Sequence, residues 1–154
     1  MSFMETLSPA RVKVPLAAGT KQEAVRELID LLARNGDVAD RQGAFRAVMD
    51  REQTRSTAVG EGLAIPHAKT DAVNSLVCAI GKFRRPVDFG SPDGKPVTIV
   101  ALVLSPPGDT STHIQALAHV SRLLSNDALR QRLNAAGTKK QIVSLFRREE
   151  ERLA

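Results

Sequence analysis

His67 stands in the stretch Ser56-Thr57-Ala58-Val59-Gly60-Glu61-Gly62-Leu63-Ala64-Ile65-Pro66-His67-Ala68-Lys69. A Gly-containing, Ser/Thr-rich loop runs into a short apolar segment, then a proline, the histidine and, two residues on, a lysine. Near neutral pH, imidazole is both a neutral nucleophile and a good leaving group. Small residues upstream leave backbone N–H groups accessible to an anion, and Lys69 adds positive charge. The chemistry this pattern would support is acceptance and release of a phosphoryl group. Such transfer asks for positioning and charge neutralisation more than for covalent work by the protein. The plain alternative is a histidine that merely ends a strand, hydrogen-bonded to backbone.

Other positions join or leave this site on chemical grounds. Thr112 and Gln115 have the spacing of a capping box, with Thr112 as N-cap. His113 then falls in the first helical turn, where the helix dipole disfavours its protonation and favours a neighbouring anion. The alternative is an exposed first-turn residue without a role. Arg51 falls near the end of a predicted helix, just before the loop, and its guanidinium can hold a phosphate bidentately; the alternative is an ordinary exposed helix arginine. Arg55 is expected on the surface. Ser56, Thr57, Gly60 and Gly62 are phosphate-loop candidates, although the two hydroxyls serve a turn equally well. The glycines do not make a Walker A loop, because Gly-Lys-Ser/Thr is missing, so ATP binding is not expected.

His119 lies six positions beyond His113, about 240° round a helix and some 9 Å along it. It is expected on the surface or in packing. Three histidines and one cysteine show no Cys-x-x-Cys or His-x-x-x-His spacing, so neither a metal nor a cofactor is expected. Cys78, inside Leu76-Val77-Cys78-Ala79-Ile80, reads as a small core residue.

Two blocks of the chain resemble the fructose/mannitol-type enzyme IIA domains of the bacterial phosphotransferase system, and among them the stand-alone nitrogen-regulatory type. The first block comprises Arg51-Glu52, Ser56-Thr57, Gly60-Glu61-Gly62, Ala64-Ile65-Pro66-His67 and Lys69; the second is Thr112-His113-Ile114-Gln115-Ala116-Leu117. The resemblance implies that His67 accepts phosphate on Nε2 from a phosphohistidine carrier protein of the HPr type. It implies an assisting or orienting role for His113 and phosphate stabilisation by Arg51. The group would pass to a IIB component, or the phosphorylation state would itself be the signal. No IIB or permease segment accompanies the motifs, which favours the regulatory, nitrogen-type role. A sugar-transport IIA subunit for fructose/mannitol-type uptake and a non-catalytic binding module of the same fold are the alternatives. One departure stands out. The family usually has glycine directly after the active histidine, and here it is Ala68. Alanine does not take positive φ cheaply, so the backbone at this position is expected to be ordinary.

The elements that must position these residues follow from bulk properties and periodicity. A chain of 154 residues with 42% apolar and 25% charged residues is expected to form one domain, 1–154, with a proper core. The longest apolar run, Val97 to Leu104, is too short to span a bilayer. The N-terminal residues have neither a basic nor an apolar signal region, and one cysteine fits a reducing compartment, so a cytoplasmic location is expected. The net charge of +5 invites a nucleic-acid reading. It is set aside because basic and acidic residues interleave and there is no Trp or Tyr to stack on bases. A mild positive field suits an acidic or phosphorylated protein partner.

Val12 to Leu16 alternates as a strand, placed at an edge by Pro15. Thr20 opens a helix to about Arg34 and Asp40 caps a second to about Thr54. A brief strand is expected to end at His67. Leu76 to Phe83 and Val97 to Leu104 read as strands buried on both faces; turn chemistry begins at Pro86. The remainder reads as helices at about 110–124, 126–135 and 138–151. This order predicts an α+β fold, a three-layer α/β/α sandwich whose mixed β-sheet carries helices on both faces. The resemblance implies the same architecture.

Overall fold

A computed structural model of the chain describes residues 3–54 and 56–153; the expectation for Arg55 lies outside them. Helix α1 spans Phe3–Thr6, and a 3-10 turn at Pro9–Arg11 leads into strand β1, Val12–Leu16. Helices α2, Lys21–Arg34, and α3, Arg41–Thr54, follow. Then come strands β2, Ala58–Gly60, β3, Leu63–Ala64, β4, His67–Lys69, β5, Val77–Val87, and β6, Val97–Ser105. Helices α4, Thr110–Leu124, α5, Asp127–Ala135, and α6, Lys139–Leu153, complete the chain.

Local chemistry sets the helix starts. Thr20 Oγ1 accepts the Glu23 N–H at 3.1 Å, capping α2. Asp40 Oδ1 accepts the Gly43 N–H at 2.9 Å and does the same for α3. Both helices begin and end as their spacing predicts.

The strands form one mixed sheet in the order β1-β5-β6-β3-β2. β5 and β6 run antiparallel at its centre, from Val77 opposite Leu104 to Gly81 opposite Val100. β1 pairs parallel with β5 and holds an edge, as Pro15 suggested. β3 and β4 share the other side of β6 end to end, both parallel to it. Pro66 lies in the gap between them. It has no N–H to offer the ladder, but its carbonyl accepts the Val103 N–H at 3.0 Å. The brief strand therefore breaks before His67, and the histidine opens a new one instead of ending it.

Alternation along β6 sorts the core into two. Val100, Leu102 and Leu104 face the layer of α2 and α3; Ile99, Ala101 and Val103 face the layer of α4, α5 and α6. This is the expected three-layer α+β sandwich. Strand β5 differs from expectation at its end, running past Phe83 to Val87. It does so through a register shift between Lys82 and Val87, and this irregularity accommodates Pro86 inside a strand.

Two polar ties hold the layers. The Arg11 fork meets Asp37 at 2.9 and 2.8 Å, and this hydrogen-bonded pair raises the Arg11 pKa. Lys82 Nζ donates to the carbonyls of Asn134 and Ala136 at 2.5 and 2.6 Å, satisfying the C-terminal end of α5. Cys78 is buried in β5, as read, and desolvation pushes its thiol up to about 12. Among the described residues, no helix is long and apolar enough to cross a membrane.

Candidate functional site

His67 pairs with Val103 and shares its face of the sheet, the one covered by α4. Its Nδ1 lies 2.7 Å from the Ile65 carbonyl oxygen. A carbonyl only accepts, so Nδ1 carries the proton and the lone pair of the neutral ring is at Nε2. The tautomer is thus set by a backbone group two residues upstream, with Pro66 holding the bend between them.

His113, only 6% exposed, reaches down from α4. Its ring centroid is 5.6 Å from that of His67, with the planes at 54°. Its Nδ1 lies 2.5 Å from Ser105 Oγ at the end of β6. Thr112 is not the N-cap of this helix. The turn closed by the Asp109 N–H on the Pro106 carbonyl already sets the chain for a start at Thr110, and the His113 N–H donates to the Asp109 carbonyl at 2.9 Å. His113 is therefore the fourth helical residue. The two histidines nonetheless meet.

Burial lowers the pKa of His67; the Ile65 carbonyl opposes this, and the charge of Arg51 adds to it. Burial also lowers the pKa of His113; a proton on His67 would disfavour a second one here, and the charge of Lys69 acts in the same direction. Both rings are neutral at pH 7 by this logic.

Arg51, in the last turn of α3, lines a cleft of about 570 Å³ together with Ser56, Thr57, His67, Leu117 and Ser121. Helix α3, the following loop, β4 and α4 all converge there. Lys69 Nζ lies 3.3 Å from Thr110 Oγ1, over the start of α4.

The hydroxyls of the loop are already committed. Ser56 Oγ donates to the Phe89 carbonyl at 2.8 Å and accepts the Ala58 N–H at 3.2 Å. Thr57 donates its hydroxyl to Glu52 Oε2 at 2.6 Å and its N–H to Oε1 at 2.9 Å. Lys21 completes the surroundings of that carboxylate at 3.2 Å. Both residues line the cleft, but their donors serve the turn. Glu52 was missed as a supporting residue although a signal existed. The buried stripe of α3 is Ala44, Val48 and Glu52, so four-residue spacing puts a carboxylate, 5% exposed, on the inward face.

Gly60 and Gly62 do not line this cleft. They flank Glu61 in the turn of the β2–β3 hairpin, with φ of 94°, 56° and 80° along the three residues. The Glu61 N–H donates to Asp93 Oδ2 at 2.9 Å. A Cβ on Gly60 would come within 3.2 Å of the same oxygen. The left-handed turn and the close approach of Asp93 call for glycine at these positions.

Ala68 has ordinary backbone, since Glu61 alone among the described non-glycine residues has positive φ. Its side chain packs into the core on the α2–α3 side. His119 bonds to Glu150 of α6 and sits edge-on to Phe3 at 6.5 Å, apart from the site. Among the described residues no group of three or more His, Cys, Asp or Glu could hold a metal.

The sheet edge thus carries a histidine of fixed tautomer, faced by a second histidine and sharing a cleft with an arginine. The family model for the phosphoenolpyruvate-dependent sugar phosphotransferase system, EIIA 2, matches residues 5–149. The chain belongs to this family, whose members are phosphotransferase components that relay phosphoryl groups. It is 34% identical over 140 residues to the fructose-specific EIIA component of Haloferax volcanii, covering 90% of this chain and 91% of that protein. It is 32% identical over 146 residues to a nitrogen regulatory protein of Bradyrhizobium diazoefficiens, covering 95% of each. It also matches the fructose-specific EIIABC component of Bacillus subtilis at 33% identity, but spans only 23% of that protein's length. Among solved structures, the nitrogen regulatory protein IIA-Ntr of Neisseria meningitidis superposes with a TM-score of 0.86 at 27% identity. That match covers 93% of this chain and 97% of the other.

Proposed function

We propose that the chain, acting as one domain, is a cytoplasmic phosphocarrier. It takes a phosphoryl group on His67 Nε2 from a phosphohistidine carrier of the HPr type. The observation that carries this reading is the 2.7 Å contact between His67 Nδ1 and the Ile65 carbonyl. It leaves Nε2 as the nucleophilic nitrogen, in a cleft that also holds Arg51.

In the reaction, the Nε2 lone pair forms the new N–P bond as the donor's N–P bond breaks, and the donor imidazole leaves. The His67 proton stays on Nδ1, where the Ile65 carbonyl faces the positive charge that the ring gains. Arg51 neutralises the phosphoryl oxygens, and His113 orients the group. Because Nδ1 remains protonated, the His67 ring is a good leaving group for the onward step.

The onward role is regulatory in this reading, read out through phosphorylation state. The match to the Bradyrhizobium nitrogen regulatory protein over 95% of both chains supports it. The Haloferax match, also nearly full length, supports a second reading, a sugar-transport subunit delivering phosphate to a IIB component.

Incubation with phosphoenolpyruvate, enzyme I and the cognate carrier tests the shared step. The expected result is an acid-labile, alkali-stable label that His67→Ala abolishes. No label on the wild-type protein from a competent donor pair would rule out the carrier, and a label that survives His67→Ala would move the site elsewhere. Transfer of that label to a IIB component would select transport over regulation.

A further inference from the structure

The site contains a buried hydroxyl that the scheme above leaves unused. Ser105 closes β6 and is 0% exposed. Its carbonyl accepts the Thr70 N–H at 2.8 Å, which fixes the backbone at the strand end. Two residues beyond Val103, its side chain stands on the α4 face. Its hydroxyl has one hydrogen-bond partner among the described residues, His113 Nδ1 at 2.5 Å.

We infer that Ser105 is a positioning residue that donates its hydroxyl hydrogen to His113 Nδ1 and thereby holds His113 as the Nε2–H tautomer beside His67. The direction of the bond follows from accounting for each hydrogen. A buried hydroxyl that only accepted from Nδ1–H would leave its own hydrogen with no acceptor, which is the costly arrangement for a polar group out of water. Donating to Nδ1 satisfies that hydrogen and uses the better acceptor of the pair. A neutral ring whose Nδ1 accepts must carry its proton on Nε2.

The chemical consequence is specific. With Nε2 protonated, His113 offers a donor to the phosphoryl oxygens on His67. The opposite tautomer would turn a lone pair toward an anion. The two rings are then held in complementary states by two different devices: a backbone carbonyl accepts from Nδ1–H and keeps the His67 proton there, and a serine hydroxyl donating to Nδ1 keeps the His113 proton on Nε2. Ser105 lies eight residues before His113 in the chain, across the Pro106-Pro107-Gly108 turn, so no local motif joins them.

This inference rests on the phosphocarrier reading for its kinetic part and on the structure alone for its tautomer. Imidazole nitrogen–proton correlation spectra of the intact wild-type protein should show the Nε2–H pattern for His113 and the Nδ1–H pattern for His67. An Nδ1–H pattern for His113 overturns the inference without any variant. In Ser105→Ala, checked for folding by its amide spectrum, His113 should show mixed tautomers. Turnover of phosphoryl transfer into His67 should fall about tenfold, the size expected for losing one orienting hydrogen bond, with KM for the phosphorylated carrier unchanged. Unchanged turnover, or slowed turnover with the His113 pattern intact, also overturns it. If wild-type protein takes no label at all, the carrier reading fails, and the spectrum alone still decides the Ser105–His113 bond.

Discussion

At His67, the position of one proton decides what the ring can do. Protonation of Nε2 removes the lone pair, so phosphoryl acceptance requires the neutral ring. Burial holds the His67 pKa below the ordinary value, and the charge of Arg51 lowers it further. The neutral form therefore persists as pH falls through about 6.5, where a free imidazole would already be half charged. The pH at which single-turnover transfer from the carrier drops to half should lie below the ordinary imidazole value of about 6.5. Arg51→Gln should move this fall upward in pH, because it removes a positive charge that disfavours the imidazolium. It should also slow transfer on the plateau, since the phosphoryl oxygens lose their cation. A His67 titration followed by NMR checks the first effect and rapid-quench kinetics the second. An unshifted titration in Arg51→Gln would mean that the guanidinium does not act on the ring.

Among the elements, the junction between α3 and β2 matters most to this geometry. Glu52 accepts two donors from Thr57 and pairs with Lys21, tying the end of the helix that bears Arg51 to the loop that follows. Glu52→Gln keeps the shape but offers a single oxygen where two donors and a cation converge. At least one donor is left unsatisfied, and the expected loss is about 1–3 kcal/mol, measured as a shift in the urea midpoint. How much of this was legible depended on the length of each element. Thr20 to Arg34 and Val97 to Leu104 are long enough for periodicity to show, and the structure matches both closely. β3 and β4 have two and three residues; they exist because β6 pairs with them, and no pattern that short marks itself. Gly60 and Gly62 are ambiguous for a related reason. A glycine needed for a left-handed turn cannot be told by type from one needed for close approach to a phosphate. The pairing of His67 with His113 was readable as chemistry, but not as a distance. Ser105 stayed hidden because its partner is reached across a turn from strand to helix.

On the scale of the whole molecule, the two core layers meet on a sheet whose central strands are buried on both faces. A thiol in that position is shielded by everything around it. Cys78 is the sole cysteine of the chain, it is fully buried, and its thiol titrates at about 12. Thiolate is the reactive form, so alkylation of the native protein at neutral pH should be negligible over hours. It should become rapid in denaturant, with a midpoint coinciding with loss of helical circular dichroism. Early labelling, ahead of that transition, would point to partial opening of the layer formed by α4, α5 and α6. The chain has neither Trp nor Tyr, so it lacks the usual fluorescent reporters of unfolding. Cys78 takes their place: one mass increment per molecule counts the opened population directly, and the stability of every variant named above can be read by weighing the protein.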